Sequence, residues 1–97
     1  MKYVPTKVRR DLRLIGERFQ QQRKLLNLTI ADVAQRAGVS PTTVANVEQG
    51  KSVRTDSLLS IARILQLADP LVAAVDPYTT DLGRIRANQI LPQRVRH

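Results

Sequence analysis

The sequence predicts an all-α chain of five helices followed by a basic, partly ordered C-terminal tail, and three observations carry that reading. Apolar residues recur at helical spacings of three, four and seven along most of the first 75 positions. Helix-start residues (Thr29, Ser40-Pro41) and helix-stop glycines (Gly38, Gly50) punctuate those runs at short intervals. No segment alternates apolar with polar residues for long enough to read as a strand.

Val8, Leu12, Ile15, Phe19 and Leu26 form the apolar stripe of a first helix from roughly Thr6 to Leu26, which Asn27 ends. Thr29-Ile30-Ala31-Asp32 has the spacing of a capping box, with the Thr29 hydroxyl receiving an early amide and Asp32 reaching back. Leu28 and Val33 are placed for the accompanying hydrophobic staple. The second helix runs to about Arg36 and stops near Gly38, where glycine takes a left-handed backbone without strain. Ser40 caps a third helix with Pro41 in its first position, and Gly50 closes it. So short a link makes the second and third helices cross steeply. Thr55 or Asp56 is the expected cap of a fourth helix with a buried stripe of Leu58, Ile61, Ala62 and Leu65. Asp69-Pro70 opens a short fifth that reaches about Val75. Beyond Asp76 the pattern is broken by Pro77, Gly83 and Pro92, leaving a helical turn or two around Thr80 to Asn88. The expected organisation is a basic arm or helix extension over residues 1–10, a domain over 11–76 and a tail over 77–97.

Sixteen Lys and Arg against eight Asp and Glu give a net charge of +8, which at this size implies a polyanionic partner, nucleic acid first and an anionic membrane surface second. The charge is uneven. Residues 1–27 hold eight basic side chains against Asp11 and Glu17, whereas residues 28–75 balance four against four. The basic character therefore lies on the flanks, on Arg9, Arg10 and Arg13 among others. No apolar run approaches the roughly 20 residues of a bilayer span, and the first ten residues lack the apolar region of a signal peptide, so a cytoplasmic protein without membrane contact is expected. Without cysteine, and with one histidine at position 97, neither a disulfide framework nor a metal site is expected, and no cofactor. No nucleophile stands beside a base and no glycine loop is suited to a phosphate, so an enzyme is not expected.

Between residues 30 and 49 the small and apolar positions are Ala34, Gly38, Val39, Val44 and Val47. Ala34 sits where the two helices touch, Gly38 makes the turn, and the three valines hold the third helix to the core. Its other face then presents Pro41, Thr42, Thr43, Ala45, Asn46 and Gln49. A slim polar face suits a B-form major groove about 12 Å wide, where asparagine can bond adenine in bidentate fashion and threonine can meet several base edges or a thymine methyl.

Residues 14–68 resemble the Cro/CI helix-turn-helix family of phage and bacterial repressors. The resemblance is carried by Arg23, Leu28-Thr29, Asp32-Val33-Ala34, Ala37-Gly38-Val39-Ser40, Thr43-Val44, Val47-Glu48-Gln49-Gly50-Lys51, Leu58-Leu59 and Ile61-Ala62. It implies a lambda-repressor-like domain of five helices, a two-fold dimer, double-stranded DNA as partner and half-sites about one DNA turn apart. By the resemblance Thr42, Thr43 and Asn46 take base-facing positions, and Pro41 stands where a polar base-reading residue is frequent. Ser40, Lys51 and Arg54 fall at phosphate-contact positions; Thr29 and Gln49 complete the candidate phosphate set. Arg23 and Glu48 match a structural ion pair of the family. Ile30 stands where the family often has a glutamine that holds the DNA backbone, which removes a phosphate contact, and Pro41 in place of a polar base reader shifts readout from hydrogen bonds toward methyl contacts and DNA shape.

Two functions are in view. The first is a transcriptional repressor, autoregulatory, that binds a palindromic operator as a homodimer. The alternative is an antitoxin of a type II toxin-antitoxin pair that also represses its own operon, since the domain resembles the HipB-like branch as well. Its toxin-binding surface would lie on the flanks, including Leu82 to Arg86 and Leu91 to Arg96. Exposed Leu71, Val72 and Val75 of the fifth helix are the first expectation for the dimer surface, with Tyr3-Val4 strand pairing the alternative.

Overall fold

The computed structural model describes residues 3–90, and six α-helices account for most of them: α1 Thr6–Leu25, α2 Ile30–Ala37, α3 Pro41–Glu48, α4 Thr55–Ile64, α5 Ala68–Ala74 and α6 Asp81–Ile90. A 3-10 turn at Pro77–Thr79 precedes α6, and there is no strand among the described residues. The segment from Leu91 to Arg96 lies outside them.

Four successive helices end in the same way. Asn27, Gly38, Gly50 and Gln66 all take positive φ, between 58° and 76°. After each, the next amide bonds a carbonyl five residues back: Leu28 to Arg23 at 3.1 Å, Val39 to Ala34 at 3.0 Å, Lys51 to Asn46 at 2.9 Å and Leu67 to Ala62 at 2.8 Å. This is the Schellman arrangement, which satisfies the last carbonyls of a helix and turns the chain sharply. Glycine makes that turn freely at 38 and 50, whereas Asn27 and Gln66 do so at a steric cost.

The core lies where α1 to α4 meet, and is built from Phe19, Val33, Ala34, Val44, Val47, Ile61, Ala62 and Leu65. Ala34 and Ala62 let the helices approach, and Leu28 and Val39 pack on the margin of this cluster. Gln22 adds a polar tie, its Nε2 donating to the Leu65 carbonyl at 2.9 Å.

Five details differ from the sequence reading. Val8 and Ile15 are exposed, because the elements covering α1 pack along its second half, where Gly16, Phe19 and Arg23 are buried. The N-cap of α4 is Arg54, with Thr55 already helical and no side chain accepting the first amides. Helix α5 opens at Ala68, one residue before Asp69-Pro70. Leu71 is half-buried against the core, which leaves Val72 and Val75 exposed on that helix. The turn expected near Thr80 is a helix of ten residues.

Candidate nucleic-acid interface

The position of α3 follows from its sequence and from its neighbours. Ser40 Oγ accepts the Thr43 amide at 3.1 Å and Pro41 fills the first turn, so the helix starts without an unmet donor at that point. Val44 and Val47 are 1% and 4% exposed, which turns one face of α3 into the core. Burial of two valines contributes roughly 3 kcal/mol or more to holding that orientation.

Two glycines then set how closely α1 lies against the end of α3. A Cβ on Gly16 would stand 2.4 Å from the Val47 carbonyl oxygen and 2.6 Å from that of Glu48. A Cβ on Gly50 would stand 2.8 Å from the Arg13 Cα. Backbone meets backbone at both places, so neither helix can shift outward to admit a side chain without opening the core.

An ion pair closes the same junction. Arg23 Nε donates to Glu48 Oε2 at 2.6 Å and Arg23 Nη2 to Oε1 at 3.1 Å, while Nη1 donates to the Leu28 carbonyl at 2.9 Å. Gln20 Nε2 donates to Glu48 Oε1 at 3.2 Å. Hydrogen bonding to Glu48 raises the Arg23 guanidinium above its ordinary value, against the opposing effect of burial and with added charge attraction. Both groups are thus matched, as burial of charge requires.

The outer edge of α3 carries Pro41, Thr42 and Gln49, which are exposed, and Thr43, Ala45 and Asn46, which are half-buried at its flanks. The Thr43 hydroxyl lies 2.9 Å from Ser40 Oγ and is hydrogen-bonded to it. Exposed Lys51 follows immediately after the Gly50 turn. Arg54 is also exposed but forms a two-point pair with Asp56, at 3.1 and 2.8 Å. At the start of α2, Thr29 Oγ1 accepts the Asp32 amide at 3.0 Å and the Thr29 amide donates to Asp32 Oδ2 at 2.9 Å. That backbone hydrogen bond, with the Thr29 hydroxyl adding to it, holds the Asp32 carboxyl below the usual carboxylate range.

Gly16, Gln20 and Gln22 escaped the sequence reading. Gly16 did leave a signal, because glycine inside a twenty-residue helix costs about 1 kcal/mol against alanine and so marks a contact that needs it. The two glutamines left none.

Two short helices, crossed about a glycine turn, with the second anchored by valines and its polar edge outward, define a helix-turn-helix module. A family model described as a helix-turn-helix domain matches residues 14–75, more than half of the 97-residue chain, and the chain belongs to that family. The family is XRE-like, of the kind to which Cro/CI-type repressors belong, and is typically non-enzymatic; its domain marks the chain as a DNA-binding transcription regulator. No curated protein matches the sequence. Among the described residues no helix is long and apolar enough to cross a membrane.

Proposed function

We propose that the chain is a sequence-specific repressor that binds a palindromic operator as a homodimer and governs its own promoter. The observation that carries this reading is the outward polar edge of α3, held in place by Val44, Val47 and the two bare-backbone contacts at Gly16 and Gly50. Pro41, Thr42, Thr43 and Asn46 face base edges in the major groove. Asn46 supplies the bidentate hydrogen bonds, and the Thr43 hydroxyl is already engaged by Ser40, which leaves its methyl group to meet a thymine.

Thr29 and Ser40 stand at helix N-termini, where a phosphate oxygen meets amides and partial positive charge. Lys51 and Gln49 reach the backbone at the other end of α3. Arg54 joins them by exchanging Asp56 for a phosphate. An exposed pair of this kind is worth about 0 to 1 kcal/mol, so the exchange costs little. The basic flank of α1 adds attraction that carries no sequence information.

Selection of bound fragments from random duplex DNA, followed by a reporter assay with the enriched site at a promoter, tests the reading. The expected result is a pair of inverted half-sites about one helical turn apart, and lower reporter output when the protein is present. Absence of enrichment, or higher output, would refute repression. A toxin protein retained on purification from the native host would replace the simple repressor with the antitoxin reading.

A further inference from the structure

Helix α6 leaves the rest of the molecule by a closely hydrogen-bonded corner. Asp76 Oδ1 accepts the Tyr78 amide at 2.9 Å; Thr80 Oγ1 donates to the Pro77 carbonyl at 2.9 Å and accepts the Gly83 amide at 3.0 Å. Arg84 Nη1 donates back to the Tyr78 carbonyl at 3.0 Å. A Cβ on Gly83 would stand 1.8 Å from the Pro77 carbonyl oxygen, so helix and turn touch through bare backbone. The corner fixes the direction of α6, which packs chiefly on this turn, and the radius of gyration is 16.9 Å. A compact chain of this length would have about 12.5 Å.

The corner therefore presents an apolar helix face, with Leu82 and Ile85 64% and 69% exposed. A second uncovered surface lies on the same chain, an open apolar hollow of about 360 Å³ between α4 and α5, lined by Leu58, Leu59, Leu71, Val72 and Val75. Leu59, Val72 and Val75 are 46%, 63% and 79% exposed. Together with Tyr78 the two surfaces expose on the order of 600 Å² in one protomer, apolar area of a size that marks interaction surfaces. A two-fold contact that covers both copies buries about 1,200 Å², the lower bound for a specific stable interface.

Charge agrees with that pairing. Residues 54–80 hold Asp56, Asp69 and Asp76 against Arg54 and Arg63, with Arg54 paired to Asp56; on α6 Asp81 is paired with Arg84, which leaves Arg86 as the arm's exposed cation toward that mildly acidic stretch.

We propose that α6 is an exchanged arm: Leu82 and Ile85 of one copy seat in the hollow between α4 and α5 of a second copy, with Arg86 toward its acidic side. Each copy offers the arm and the hollow once, so a two-fold dimer covers both and closes. The proposal rests on the homodimer reading given above and names its surface.

Sedimentation of the full chain and disulfide trapping test it. Leu82→Asp with Ile85→Asp should raise the dimer dissociation constant at least about tenfold while the far-ultraviolet spectrum stays helical. The chain has no cysteine, so Leu59→Cys in one preparation and Ile85→Cys in another should give mixed disulfide-linked dimers on oxidation, and neither preparation alone should link to itself. A monomeric native chain, a dimer indifferent to the double aspartate variant, or self-linking of the Ile85→Cys chain would each overturn the arm. So would release of a different bound protein by that variant. The variant leaves α3 untouched and should still bind non-specific DNA at low salt; failure of every form to bind DNA refutes the regulator reading and leaves the sedimentation result standing.

Discussion

Arg23 and Glu48 join the last turn of α1 to the last residue of α3, through a 2.6 Å contact between side chains only 10% and 5% exposed. The pair does not touch the outward edge of α3, yet it fixes the end of that helix against α1. Removing one partner leaves the other charge buried and unmatched. Glu48→Ala is therefore expected to cost about 3 to 5 kcal/mol, read as an earlier thermal or urea transition. Arg23→Met with Glu48→Leu should cost less than Glu48→Ala alone. A loss under about 1 kcal/mol for the single variant would mean that the junction is held by the valines without the charges.

Gly16→Ala places a methyl group where the Val47 and Glu48 carbonyls now stand. The backbone must part, at a cost of about 1 to 3 kcal/mol, and the tilt of α3 changes with it. Calorimetry should show the lower transition, and operator affinity should fall further than affinity for non-specific DNA. An unchanged transition temperature would show that the contact is slack.

Gln66 takes a φ of +64° that glycine adopts freely, and Gly38 takes +73° with open space around its Cβ position. Gln66→Gly is expected to stabilise the fold by about 0.5 to 1 kcal/mol, and Gly38→Ala to destabilise it by about 1 to 2 kcal/mol. Urea midpoints of the two variants should move in opposite directions. Movement of both in the same direction would contradict the strain assigned to these turns.

The capping box gives a pH signature. Asp32 is held below its unfolded value, near 3.9 for an aspartate, by the Thr29 amide. A depressed carboxyl stabilises the fold above the unfolded value, and that contribution disappears as pH falls through the folded one. Asp32→Asn should remove this part of the acid-side slope below about pH 4. A slope identical in both proteins would detach Asp32 from the cap.

The two kinds of DNA contact separate by salt and by sequence. Asn46→Ala is expected to weaken operator binding by about 1 to 3 kcal/mol with little change on non-specific DNA. Lys51→Ala should weaken both and lower the salt slope by about one. Equal losses on both DNAs for Asn46→Ala would remove it from the base-reading set, and an unchanged slope for Lys51→Ala would remove it from the phosphate set.

Much of the helix plan is legible residue by residue. Thr29 with Asp32, Ser40 with Pro41, and the left-handed turns at Gly38 and Gly50 stand where the spacing puts them. The exposure of Val8 and Ile15 is not legible, because an apolar stripe marks the face a helix offers without marking how far a neighbour covers it. Leu71 and Val72 differ for the same reason, one half-buried and its neighbour exposed. Gln66 carries no stop signal at all, since glutamine is an ordinary helix former that seldom takes the left-handed turn it makes here.

The order of the first five helices and the punctuation around α2 and α3 came from the sequence by itself, because caps, glycine turns and apolar spacing act across five residues or fewer and are written in adjacent letters. The closeness of Gly16 to Val47 and the two-point grip of Arg23 on Glu48 were decided only by the tertiary structure. Each depends on which distant segment arrives at a given face, and that is settled by packing all the helices at once.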